Sequence, residues 1–211
     1  MKVGIAFPAR DMVHADFAFS AMAMVARTAA LRPDLALYTF MEPGTMIFNQ
    51  RIKLADNCLR VGVDYVLWLD TDMAFPSDTL LRLLAHGRDI VAANCTTRAG
   101  KIIPVASDLA ESGAIKRRIP TTPESAGLEA VNAVGMGVML TSIGVLKELR
   151  ARSEPLFWFR YSQEQNLVTS EDFYFCTNAT AAGFQVWIDH DLSKQVKHIG
   201  IFPFGHEHVA P

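Results

Sequence analysis

The sequence predicts a single α/β domain built on a largely parallel sheet. Strand-length apolar segments alternate with helical ones through the first half of the chain, as in repeated strand–helix units. The stretch YVLWL, Tyr65 to Leu69, is apolar without a break, which is the pattern of a central strand covered on both faces. At 211 residues, half of them apolar, the chain can bury one core of this kind.

Val3 to Phe7 reads as the first strand, stopped by Pro8. Ala15 to Leu31, rich in alanine and methionine, predicts a helix ending before Pro33. Leu35 to Phe40 is a second strand, and Asn49 to Leu59 a second helix closed at Gly62. After Tyr65–Leu69, Pro76 and Ser77 open a helix through Leu84 with Ser77 as its N-cap, and Ile90 to Asn94 is the next strand. The second half is less regular. Lys101 to Thr122 carries short apolar pieces and charges, with Pro120 and Pro123 bounding a loop. Glu129 to Leu140 is apolar and holds Gly135 and Gly137; Ser142 to Arg150 looks helical. Glu154 to Val168 is aromatic-rich and irregular, Ser170 to Ala182 is a helix ending at Gly183, and Val186 to Asp189 is a short strand. The tail carries His198, His206 and His208, and there is no repeat, low-complexity region or linker.

The formal net charge of −2, with a fifth of residues charged, describes an ordinary soluble protein. It lowers the case for a nucleic-acid partner without removing it; the local Lys116-Arg117-Arg118 cluster reads as a solvated loop. Cys58, Cys95 and Cys176 lack any C-x-x-C spacing and sit in apolar contexts, as buried thiols in a reducing compartment do. The N-terminal apolar segment is too short for a signal peptide, and the uncharged run Val131–Leu146 falls short of a membrane span. A cytoplasmic location is the expectation.

The buried run at Tyr65–Leu69 ends in Asp70 and Asp72. Ligands of open α/β sheets bind at the carboxyl ends of strands, and alternation would point both carboxylates one way. Like charges so placed suit a hard divalent cation; the plainer reading is a strand end followed by a turn. A haloacid-dehalogenase-type D-x-D fits poorly, because Met73-Ala74 follows where a Gly-Thr pair is usual. Ser170-Glu171-Asp172 opens a helix, as a capping serine with acidic neighbours ordinarily does. A carboxylate there could also take a proton from a hydroxyl that becomes acidic during reaction. His198 lies alone among apolar residues, as a core histidine or a metal ligand. Gly135 and Gly137 allow close backbone approach or tight packing.

In order, D-T-D closing an apolar strand, a downstream G-x-G, E-D opening a helix that ends in A-G-F, and a late H-I-G resemble the GT-A glycosyltransferases, small family-2-like members above all. The likeness runs from about Val3 to Gly200. It implies a Rossmann-like GT-A fold, a mixed, mostly parallel sheet flanked by helices, with residues 1–98 as a nucleotide-binding half and 99–211 as an acceptor and catalytic half. It implies a nucleotide-sugar donor, an unidentified hydroxyl acceptor, and Mn²⁺ or Mg²⁺ held by Asp70, Asp72 and His198, with Asp72 the direct ligand. Asp172, with Glu171 beside it, matches the general base of inverting members. Pro8, Arg10, Asp11, Arg51, Asp70, Gly135 and Gly137 match donor-contacting positions. Glu42 is a candidate for contact with the base, and the N-Q-R sequence at Asn49–Arg51 departs from the commoner pattern. A retaining transferase, a sugar nucleotidyltransferase and a non-catalytic nucleotide-sugar-binding module share parts of this pattern and stay open.

Overall fold

The computed structural model describes residues 1–98, 101–110, 113–152, 155–162 and 166–200; His206 and His208 lie outside them. In chain order the elements begin β1 (Lys2–Ala9), α1 (Ala15–Leu31), β2 (Ala36–Pro43), α2 (Ile47–Val61), β3 (Tyr65–Leu69), β4 (Met73–Ala74), α3 (Thr79–Ala85) and β5 (Ile90–Ala92). Then follow β6 (Ser107–Leu109), β7 (Ile115–Arg118), β8 (Leu128–Val131), β9 (Val138–Ser142), α4 (Ile143–Ala151), β10 (Arg160–Ser162) and β11 (Leu167–Thr169). The last are α5 (Glu171–Ala181), β12 (Val186–Asp189), α6 (His190–Ser193) and β13 (Lys197–His198).

A seven-stranded sheet of order β2-β1-β3-β9-β5-β12-β8 forms the centre. β1, β2, β3, β5 and β12 run one way; β9 runs against β3 and β5, and β8 against β12. Every residue of β3 from Val66 to Leu69 is buried because both faces of the sheet are covered. Alternation sends Val66 and Trp68 into one core with Leu54 and Cys58 of α2 and Phe175 of α5, and Leu67 and Leu69 into the other with Phe17 and Met24 of α1. Trp68 also donates from its indole N–H to Thr141 Oγ1 at 2.9 Å, so the largest buried side chain leaves no orphan donor.

Several boundaries differ from the sequence expectation for identifiable reasons. β1 continues through Pro8. Ala6 is its last residue paired with β3, so beyond it the strand has an open edge where a missing N–H costs no ladder bond. β2 accordingly runs on to Pro43 beside it. Ser77 is not the N-cap of α3: Thr79 folds back on Pro76 O through both its N–H (3.1 Å) and its hydroxyl (2.7 Å), and the helix starts only after that turn, with Asp78 in the N-cap position but making no side-chain cap bond. The apolar segment 129–140 is split between β8 and β9, with the G-x-G between them, while 101–122 holds the β6–β7 hairpin. Gly62 closes α2 at φ 69°, the left-handed value expected there.

This topology gathers the motifs at one edge. Leu69 at the end of β3 pairs with Val138 at the start of β9, so the D-T-D turn and the G-x-G meet where the parallel strands end. No helix among the described residues is long and apolar enough to cross a membrane.

Candidate active site

The chain turns as soon as β3 ends. Met73 N–H donates to Asp70 O (3.2 Å), and Asp70 N–H donates to Gly137 O (3.0 Å), pinning the D-T-D turn to the glycine loop. Strand alternation therefore does not govern the two aspartates, and their carboxylates have different partners. Asp70 Oδ1 accepts from Arg51 Nη2 at 2.8 Å. Asp72 Oδ2 lies 2.9 Å from Arg98 Nη1 and 3.4 Å from His198 Nε2. Both aspartates still line one cleft.

His198 arrives by antiparallel pairing of β13 with β4, His198 opposite Met73, and Ile199 N–H donates to Asp72 O at 2.7 Å. Its Nδ1 is 2.7 Å from Thr96 O, a contact that requires a proton on Nδ1 and turns Nε2 toward Asp72. Contact with Asp72 lifts the imidazole above its ordinary pKa, against burial, and the Thr96 carbonyl adds to the rise. Burial pushes the Asp72 carboxyl up, but His198 and Arg98 together outweigh it and hold it below its ordinary value.

Beneath this surface lies a buried ion triad. Arg51, 2 % exposed, donates from Nη1 to Glu171 Oε1 (2.6 Å) and from Nη2 to Asp70. Burial alone would lower its pKa; Asp70, Glu171 and Asp172 reverse this and keep it charged. Glu171 is pushed above the usual carboxylate value by burial, against the pull of Arg51. Among the described residues Arg51 Nε has no hydrogen-bond partner. Arg51 is thus buried beneath the clefts and lines none of them, and Glu171 likewise does not line them as Asp172 does.

Asp172 sits at the start of α5. Its Oδ1 accepts from Ser170 Oγ and from Phe173 N–H (2.8 Å), so the Ser170 hydroxyl serves Asp172 instead of capping the helix. Oδ2 faces Gly135, where an added Cβ would stand 3.5 Å from it and 3.3 Å from Val105. The glycine leaves that oxygen room for another molecule. Gly137 is hemmed in differently: a Cβ there would meet Met73 Sδ at 3.1 Å.

Three adjoining clefts share these residues. The first, about 500 Å³, is lined by Pro8, Arg10, His14, Gln50, Asp70 and Asp72 among others. Asp11, beside Arg10, is exposed and outside that lining. The second, about 390 Å³, shares Asp70, Arg98 and His198 with the first and adds Gly135, Gly137 and Asp172. The third, about 330 Å³, shares Thr97, Val105 and Asp172 with the second. Glu42, the candidate base contact, holds Lys53 Nζ at 2.5 Å and is not in the first cleft's lining. Gln50 of the N-Q-R sequence donates to the carbonyls of Ala9 and Glu42, each at 2.7 Å, tying α2 to the ends of β1 and β2.

Among the described residues no group of three or more His, Cys, Asp and Glu side chains is set to hold a metal. Asp72 and His198 nevertheless fit a hard divalent cation as a partial set. The Thr96 contact orients the imidazole as metal-bound histidines are oriented, and Mg²⁺ or Mn²⁺ takes most of its remaining ligands from water and phosphate. Arg98, 44 % exposed, pairs with the same Asp72 carboxylate.

Neither a family model nor a curated protein matches the sequence. Solved structures do. A197 from STIV is similar over 99 % of this chain and 100 % of its own, with TM-score 0.53 and 12 % identity. A Drosophila beta-1,4-galactosyltransferase 7 mutant in complex with manganese, UDP-Gal and xylobiose is similar over 95 % of this chain and 71 % of its own, with TM-score 0.55 and 15 % identity. The fold is GT-A-like. A third neighbour, residues 1–349 of S. aureus TarS, has TM-score 0.50 and 12 % identity, and the match spans 94 % of this chain and 60 % of that one.

Sequence reasoning missed Arg98, Thr96, His14 and Arg118. Arg98 and Thr96 had a usable signal, since Cys95-Thr96-Thr97-Arg98 closely follows a parallel strand, β5, at the same sheet edge as the aspartates.

Proposed function

We propose that this chain is a metal-dependent glycosyltransferase that moves a sugar from a nucleotide-diphosphate donor to an acceptor hydroxyl with inversion, Asp172 acting as general base. The observation that carries the reading is the second cleft, where Asp70, His198 and the open oxygen of Asp172 line one space. Residues 1–98 supply most of the first cleft, which suits the nucleotide, and Asp172 stands between the second and third clefts, which suit donor sugar and acceptor.

Asp72 and His198 would hold a divalent cation, Mn²⁺ or Mg²⁺; when bound, it supplies Lewis-acid stabilisation for charge developing on the leaving diphosphate. Arg98 sits beside the same carboxylate and adds positive charge at the mouth of the first and second clefts. Asp172 accepts the proton of the attacking hydroxyl through Oδ2, while Ser170 and the Phe173 amide hold Oδ1 and fix its orientation. Arg51 and Glu171 act as positioning residues: the triad links the D-T-D turn to the first residue of α5, setting the base relative to the donor.

Manganese and UDP-Gal, the ligands of the Drosophila neighbour, are the first probes, followed by a thermal-shift screen of other nucleotide sugars. Asp172→Asn should lower transfer by about 10²–10⁴-fold, the usual contribution of a general base, while metal-dependent donor binding persists. Undiminished turnover removes the base assignment. Release of free nucleoside diphosphate supports glycosyl transfer, whereas released pyrophosphate supports a nucleotidyltransferase.

A further inference from the structure

The third cleft points to the chemistry of the acceptor, on the reading that Asp172 is the base. Among the described residues its charged lining is Asp172 and Arg118. Arg118 is half-buried; its Nη1 donates to the carbonyls of Val105 (3.2 Å) and Pro104 (3.4 Å), and its guanidinium carbon lies 5.8 Å from the centre of the Phe173 ring. Among the described residues no carboxylate pairs with it, whereas Arg98 and Arg117 each hold an aspartate. A guanidinium carries its donors in a planar fork that matches two oxygens of one anion, and two contacts through one nitrogen do not satisfy it. The rest of the described lining is uncharged: Ile115 of β7, Val168 of β11 and Val105 are apolar, and Thr97, Thr169 and Ser170 carry hydroxyls. A neutral acceptor would place nothing opposite this cation.

We propose that the acceptor is anionic: a carboxylate or phosphate engages the fork of Arg118, an apolar face rests on Ile115 and Val168, and the hydroxyl to be modified meets Asp172. The positive charge of Arg118 also offsets the repulsion between such an acceptor and the Asp172 carboxylate, which a neutral acceptor would not require.

The test uses the whole protein and three probes sharing one aromatic group: p-nitrophenyl glucoside, p-nitrophenyl glucuronide and p-nitrophenyl phosphate. Binding is measured by calorimetry with Mn²⁺, with and without nucleoside diphosphate. At least one anionic probe should bind about tenfold or more tightly than the glucoside, the size expected of a charge-assisted bidentate contact. Whether the glucuronide or the phosphate is preferred identifies the anion. Arg118→Met should erase the preference, and Arg118→Lys should keep part of it by retaining the charge without the fork. No preference for an anion, no binding of any probe, or a preference that survives in Arg118→Met overturns the proposal. Failure of the nucleoside diphosphate itself to bind is read separately, and counts against the transferase reading.

Discussion

Arg51→Met removes the cation that two carboxylates share. The Glu171 side chain, 9 % exposed, is left buried without a partner, while that of Asp70, 32 % exposed, still reaches water. Breaking a buried ion pair from one side costs about 3–5 kcal/mol, and solvent screening of Asp70 favours the lower end. In a chain of this size each kcal/mol is worth roughly 2–4 °C of Tm, so a drop of roughly 6–12 °C is expected. The loss has a definite pH dependence. Burial already holds the Glu171 carboxyl above its ordinary value with Arg51 opposite, and removing Arg51 raises it further. When the folded-state value exceeds the unfolded one, the folded protein binds more protons between the two. Stability of the variant therefore falls as pH rises through that window and recovers on acidification. Urea unfolding followed by tryptophan fluorescence, at about pH 5 and about pH 8, tests this for wild type, Arg51→Met and the double variant Arg51→Met/Glu171→Gln. The single variant should lose more at the higher pH, and the added glutamine should restore much of it. A deficit under about 1 kcal/mol at the higher pH, or one independent of pH, refutes the reasoning.

Phe157→Ala empties a fully buried position between Trp68 and Phe175 and should cost about 3–5 kcal/mol in chemical denaturation. Trp158→Ala, at a position 48 % exposed, should cost under about 1 kcal/mol, and equal losses would contradict the split burial of this segment. Burial pushes the thiols of Cys58, Cys95 and Cys176 to about 12, so mass spectrometry after iodoacetamide at about pH 8 should show no adducts until the protein is unfolded. Asp72→Asn should abolish the part of donor-induced stabilisation that a chelator removes from wild type. A donor at a hundred times its Kd gives about 2.7 kcal/mol, so the loss is measurable by thermal shift.

What could be read in advance depended on how much of each feature is local. α1, β3 and β12 have the bounds that their sequence patterns predict. The direction of β9 is not local. Its residues are all buried, and an antiparallel strand covered on both faces has the same composition as a parallel one. Asp70, Asp72, His198 and Asp172 were legible as types because each lies at the start or end of an element, where side chains face the sheet edge. Their partners were not. Arg51 shows the difference: the sequence matched it to a donor-contacting position, whereas in the fold it shares a helix face with Leu54, Ala55 and Cys58, all buried. A charged residue on an apolar face implies buried counter-charges, here Asp70 and Glu171. Arg118 belongs to a basic triplet that looks like solvated surface, and only the fold separates it from Arg117, which pairs with Asp108.

The pairing of β13 with β4 imposes an order on biosynthesis. Thr96 and the imidazole it orients are 102 residues apart, so at ribosomal rates of about 5–20 residues per second the carbonyl waits roughly 5–20 s for its ring. A nascent chain can lay down β1, β2 and β3 early, yet it cannot form the Asp72–His198 pair until β13 has emerged and docked. Premature termination anywhere in that interval would yield a polypeptide with the first cleft partly walled and no imidazole to finish it.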